Sequence, residues 1–151
     1  MKIIRLLCLV VVVLICFPIA GCSNKEELIN GGAKAEKLIE EFFSTISKGD
    51  FLQAENYVHP HFLLIEENLA DYLYIIQKRE QIDFSNTITI VDTQDYTFTS
   101  DLQEFDFNGK SFSFEYIVLV GDIKKMCYIT VIDNDEGYGI YRFTFTMYND
   151  N

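Results

Sequence analysis

Between Ala33 and Asp50 the apolar positions Leu38, Ile39, Phe42, Phe43 and Ile46 recur at helical spacing, with Lys34, Glu36, Lys37, Glu40 and Glu41 on the opposite face. Gly49 can adopt the left-handed cap conformation and is expected to stop this helix. Asp50 can cap a second, shorter helix, with Gln53 three residues on in capping-box position and Phe51, Ala54, Tyr57 and Val58 turned inward. That helix must end before Pro60, because proline disfavours helical geometry in the residue before it. From Phe62 to Arg79 the helical period returns through Leu69, Tyr72, Leu73 and Ile76, with a break expected near Glu66 to Asn68.

After Ser85 the period changes from 3.6 to two. Ile88 and Ile90, then Tyr96 and Phe98, alternate with polar residues. "LQEFDF" (102–107) and "SFSFEYIVLV" (111–120) flank Asn108-Gly109, a pair that favours hairpin turns because both residues tolerate positive φ. Gly121-Asp122 leads into "KKMCYITVI", and Asn134 to Gly137 turn the chain into "IYRFTFTMY". The pattern predicts an α+β fold: N-terminal helices packed on a curved antiparallel sheet of about five strands.

The first 32 residues follow a different grammar. Lys2 and Arg5 precede an uncharged apolar run from Leu6 to Ala20, shorter than the ~20 residues a membrane-crossing helix needs. Ile19-Ala20-Gly21-Cys22 resembles the lipobox of bacterial lipoproteins at all four positions. The resemblance implies cleavage after residue 21 and acylation of Cys22, with enough acyl chains for stable membrane anchoring. Residues 22–32 then read as the lipidated cysteine and a polar tether. Lys25-Glu26-Glu27 is similar to the signal that some Bacteroidetes lipoproteins carry for surface export. The expected location is therefore extracytoplasmic, lipid-anchored to the cell membrane or the outer membrane with either leaflet open, and the folded domain is residues 33–149.

Composition narrows the function classes. The net charge is −11, and removing residues 1–21 takes away two bases and no acid, leaving −13. Such a charge disfavours nucleic acid and anionic lipid, both of which are bound through Lys and Arg. Cys8 and Cys16 would leave with the signal and Cys22 would be acylated, so Cys127 remains without a disulfide partner. No zinc spacing, phosphate loop or nucleophile motif is present, and neither a cofactor nor a metal is expected.

"EEFFSTISKGDFLQAENYV" (40–58) resembles the opening of NTF2-like, cystatin-related domains. That resemblance implies a cone, a bent sheet wrapped on a long helix with a pocket at its open end, and a homodimer as one form of assembly. Family enzymes use an acid or base inside the cone to move a proton beside a carbonyl. His59 and His61, the only histidines, flank Pro60 and are the candidate acid/base pair. Asp92, Asp106 and Glu115 are carboxylates on apolar strands that would gain basicity if buried. Tyr57, Tyr116 and Arg142 are candidate ligand contacts, with Arg142 read on a polar strand face with Ile140, Thr144 and Thr146. Thirteen Phe and nine Tyr supply cross-strand packing and could also line an apolar pocket. The leading expectation is a non-catalytic anchored domain that binds a small apolar ligand or an envelope protein. An isomerase- or dehydratase-type enzyme and a structural element of an envelope assembly are the alternatives.

Overall fold

The computed structural model describes residues 22–65, 68–100 and 108–149, with the backbone alone described at 22–27 and 63–65. The chain divides into two compact units, residues 1–33 and 34–151. Helix α1 spans Cys22–Ile46. The stretch expected as a polar tether is thus helical backbone, Gly31 and Gly32 included, although glycine costs a helix interior about 1 kcal/mol each relative to alanine. The signal segment lies outside the described residues. No described helix is long and apolar enough to cross a membrane.

The second unit follows the helical pattern closely. Gly49 takes φ +74°, and its amide and that of Asp50 return to Ile46 and Thr45. The Asp50 carboxylate accepts from the Gln53 amide at 3.1 Å and starts α2, Phe51–Ala54. A 3-10 turn, Glu55–Tyr57, precedes an extended pair, Val58-His59. Pro60 then occupies the first position of α3, Pro60–Ile65, where its missing N–H costs nothing. The break expected in the next stretch is real: α4, Leu69–Glu80, starts anew with the Asn68 side chain accepting from the Asp71 amide at 2.8 Å.

Strands β1 (Ile88–Thr99), β2 (Lys110–Val120), β3 (Ile123–Asn134) and β4 (Gly137–Met147) form a curved antiparallel meander in chain order. The described residues therefore form four strands, not five. Residues 102–107, the expected extra strand with Asp106, lie outside the described residues. The expected partner of β2 across Asn108-Gly109 is this same segment, so that hairpin too lies outside the described residues. β2 is paired along its length with β1 on one side and β3 on the other, so neither edge is left for a further partner. The turns at Gly121-Asp122 and Asn134–Gly137 join their strands as the sequence indicates.

One face of the sheet carries Phe112, Phe114, Tyr116, Val118, Cys127, Ile129, Val131, Ile140, Phe143 and Phe145, all buried. Ala35, Ile39, Phe42, Phe43 and Ile46 of α1 belong to the same apolar cluster, as do Leu69, Leu73 and Ile76 of α4. Cys127 is fully enclosed, and burial pushes its thiol well above the usual range, so it packs as a small hydrophobe.

Three bulges decide which residues reach this core. In β1 the register slips at Val91 and again at Gln94. Ile88, Ile90, Thr93, Tyr96 and Phe98 pair with the core-facing residues of β2, while Asp92 and Asp95 pair with Ile117 and Glu115 on the other face. Asp92 therefore does not continue the Ile88–Ile90 face, as unbroken alternation implied. In β4 a slip beside Tyr141 puts Ile140 in the core together with Phe143, so Ile140 does not share the polar face of Arg142.

The helices also close the outer edge of β4. The His59 amide donates to the Ile140 carbonyl at 2.8 Å, the Tyr72 hydroxyl donates to the Phe143 carbonyl, and Arg79 reaches the Phe145 carbonyl at 3.4 Å. An edge strand whose acceptors are taken is a poor template for further strand pairing. At the opposite edge, the two bulges and the exposed Asp92 and Asp95 serve the same end in β1.

Candidate functional site

The two histidines sit where the chain crosses from α2 to α3 over the β3–β4 turn. Val58 makes a parallel bridge to Ile140, which brings His59 against Gly139. His59 is fully buried. Its Nδ1 accepts from the His61 amide at 3.2 Å, so Nε2 carries the proton and donates to the Asn134 side-chain oxygen Oδ1 at 3.0 Å. The same oxygen accepts from the amides of Glu136 at 3.0 Å and Gly137 at 3.1 Å. Both ring nitrogens of His59 are thus spent on holding the strap to the turn, and no lone pair is left for a substrate proton. His61 stacks on His59, with centroids 5.5 Å apart, and its Nε2 meets the Glu136 carboxylate. Replacing His59 by Leu, similar in bulk but without polar atoms, leaves the His61 amide without its acceptor and removes one of the three donors to Asn134 Oδ1. The expected loss is about 1–3 kcal/mol in urea denaturation, whereas His61→Ala at the half-exposed position should stay within about 0.5 kcal/mol.

The three candidate ligand contacts are not brought together. Tyr57 is half-buried and lines a groove of about 480 Å3 beside α1 with Glu40, Lys48 and Gln53. Tyr116 is 1% exposed and stacks on Phe114, ring centroids 5.3 Å apart, inside the core. Burial, and secondarily the nearby Glu36 carboxylate, raise its hydroxyl far above the usual tyrosine range. Arg142 faces a different open site.

That site lies on the sheet face turned away from the apolar core. The β2–β3–β4 register sets Ser113, Thr130 and Arg142 in one cross-strand row and Glu115, Tyr128 and Thr144 in the next. Together they line a pocket of about 380 Å3, which Tyr72 flanks at the β4 edge. Arg142 Nε donates to Thr130 Oγ1 at 3.4 Å, and Ser113 Oγ lies 3.0 Å from the same oxygen. Thr144 Oγ1 accepts from Arg79 at 2.8 Å, so a second guanidinium borders the pocket. Tyr128 is 39% exposed and forms the floor between Arg142 and Glu115.

Ser113, Tyr128 and Thr130 were not singled out from the sequence. Their alternation with core residues marks them as outward-facing, but nothing local in the chain tells which strand lies next to which, or in what register. Among the described residues no group of three His, Cys, Asp or Glu is placed to hold a metal ion. No family model, curated protein or solved structure matches this chain.

Proposed function

We propose that this chain is a lipid-anchored, extracytoplasmic domain of NTF2-like architecture that binds a small ligand and performs no chemistry of its own. The observation that carries the reading is the distribution of side chains between the two sheet faces. The concave side, where family enzymes keep their catalytic pocket, is filled by Phe42, Phe43, Phe112, Phe114, Tyr116, Phe143 and Phe145, each at most 2% exposed. The acid/base candidate His59 is committed to backbone and Asn134 contacts. The opposite face offers an open pocket that sets hydroxyl, guanidinium and carboxylate groups beside the Tyr72 and Tyr128 rings. Such walls suit a polar ligand better than the apolar one that the aromatic content suggested.

The anchor is supported by Ile19-Ala20-Gly21-Cys22 and the short apolar run before it. Replacing Cys22 by Ser in the native host should abolish acyl labelling and release the protein from washed membranes. Continued membrane association of that variant at wild-type level would end the lipoprotein reading. Native mass spectrometry of the full chain, isolated from its host, should show a retained small molecule rather than the bare mass or a stoichiometric protein partner.

A further inference from the structure

The pocket on the open sheet face is electrically polarised. Arg142 stands at its β4 wall and supplies the positive charge; the neighbouring Arg79, held on Thr144, is already paired with Glu80 at 2.7 Å. Glu115 stands at the β2 wall, directly opposite Asp95 of β1 in the register. Like charges facing each other across a strand pair are destabilising and leave a local demand for positive charge. Among the described residues no cation pairs with Asp95 or Glu115, and the terminal nitrogens of Arg142 have no carboxylate partner. Two unmatched charges of opposite sign therefore face one another across Tyr128.

Their separation follows from sheet geometry. Arg142 and Glu115 are two strands apart, and Glu115 lies one cross-strand row beyond Ser113, the β2 residue in the Arg142 row. At about 4.8 Å between strands and about 3.4 Å per residue, their Cα atoms are roughly 12 Å apart. Both side chains can lean inward from there. An extended peptide spans about 3.4 Å per residue, so a di- or tripeptide places its ammonium and carboxylate about 7–10 Å apart.

Building on the proposed binding role, we propose that this pocket binds short peptides with free termini. The terminal carboxylate lies on Arg142, the terminal ammonium lies toward Glu115 and Asp95, and the peptide rests on the Tyr128 ring. Three features argue for this class. The guanidinium matches a carboxylate in two-point geometry, with Nε on Thr130 and the residue exposed. The acidic wall repels a simple dianion, and the basic wall repels a simple cation, so a ligand carrying both charges is selected over either. Ser113, Thr130 and Tyr128 can both donate and accept, which suits the alternating donors and acceptors of a peptide backbone.

The test is a titration of the full-length chain in detergent with triglycine and with Gly-Tyr-Gly, followed by NMR of the Arg142 side chain and by calorimetry. Both peptides should bind and perturb the Arg142 Nε signal. Acetylating the amino end or amidating the carboxyl end should each weaken binding about tenfold or more. In Arg142→Gln, amidation should make no further difference, while acetylation still should, because the two ends are read by different residues. Glu115→Gln should show the converse. Both substitutions are on the sheet surface, and unchanged urea midpoints would show that they fold. Equal binding of free, acetylated and amidated peptides would overturn the proposal. So would an Arg142 response to acetate or to a neutral disaccharide such as maltose with none to the free peptides. Either result would leave the membrane anchor untouched, since that rests on Cys22 and its own fractionation test.

Discussion

Phe143→Ala is expected to remove about 3–5 kcal/mol of stability, the largest single effect of any substitution considered for this fold. Phe143 is 1% exposed, and its ring is the meeting point of three helices and the sheet. It meets Phe42 of α1 edge-on at 5.2 Å, stacks on Phe62 of α3 at 5.9 Å, and meets Tyr72 of α4 edge-on at 5.2 Å. Truncation removes the transfer free energy of a buried ring and leaves a void bounded by rigid aromatics that cannot collapse into it. Each lost edge-to-face contact adds about 0.5–1.5 kcal/mol beyond the area term. Domains of this size have about 5–15 kcal/mol in all, so the variant should show a sharply lowered urea midpoint. Tyr74→Ala, on the exposed side of α4, is the matched control and should stay within about 0.5 kcal/mol. A midpoint for Phe143→Ala close to that of the control would mean that α3 and α4 do not pack on β4 as described.

Gly139→Ala is the second large expectation, at about 2–4 kcal/mol. A Cβ on Gly139 would lie 2.6 Å from the His59 nitrogen, 2.7 Å from the Val58 carbonyl carbon and 2.9 Å from its oxygen. These are backbone atoms, so no rotamer change relieves the clash. The strap must lift off β4, with overpacking strain of about 1–3 kcal/mol and loss of the His59 amide bond to Ile140, worth about 1 kcal/mol. Gly49→Ala separates space from backbone strain. Nothing lies within 4 Å of a Cβ there, and only the left-handed φ of +74° is penalised, at about 1–2 kcal/mol. Amide hydrogen exchange supplies the local readout: the His59 N–H should lose protection in Gly139→Ala and keep it in Gly49→Ala. Retained protection at His59 in the Gly139 variant would contradict the close approach of strap and strand.

The strap accounts for the structural contacts of His59. Pro60 cannot continue α2, so the chain must run extended for two residues before α3 begins. An extended segment has backbone groups to satisfy, and β4 has an open edge. Val58 and His59 meet both needs, and the imidazole then closes the adjoining turn through Asn134. A histidine two residues from another in a polar stretch reads as a candidate base from the sequence. Its hydrogen-bond partners, which lie on a distant turn, are not legible there.

Local sequence determined much of this protein. The helical repeat of Leu38 to Ile46, the Gly49 stop, the Asp50 cap, the restart after Asn68 and the turns at Gly121 and Asn134 all follow from interactions within a few residues. They were legible because each depends on spacing and local backbone preference alone. The lipobox reading belongs to the same level and remains a proposal on sequence grounds. Tertiary structure decided the rest. The bulges at Val91, Gln94 and Tyr141 reverse which residues face the core, since one inserted residue shifts a period-two pattern by a full face. Whether Asp92 or Ile140 is buried therefore could not be read by counting. β2 spends both edges on β1 and β3, and the Asn-Gly pair does not by itself name β1 as a partner. The pocket around Arg142 draws on three strands whose relative register is a long-range pairing choice, and no stretch of the chain states that choice locally.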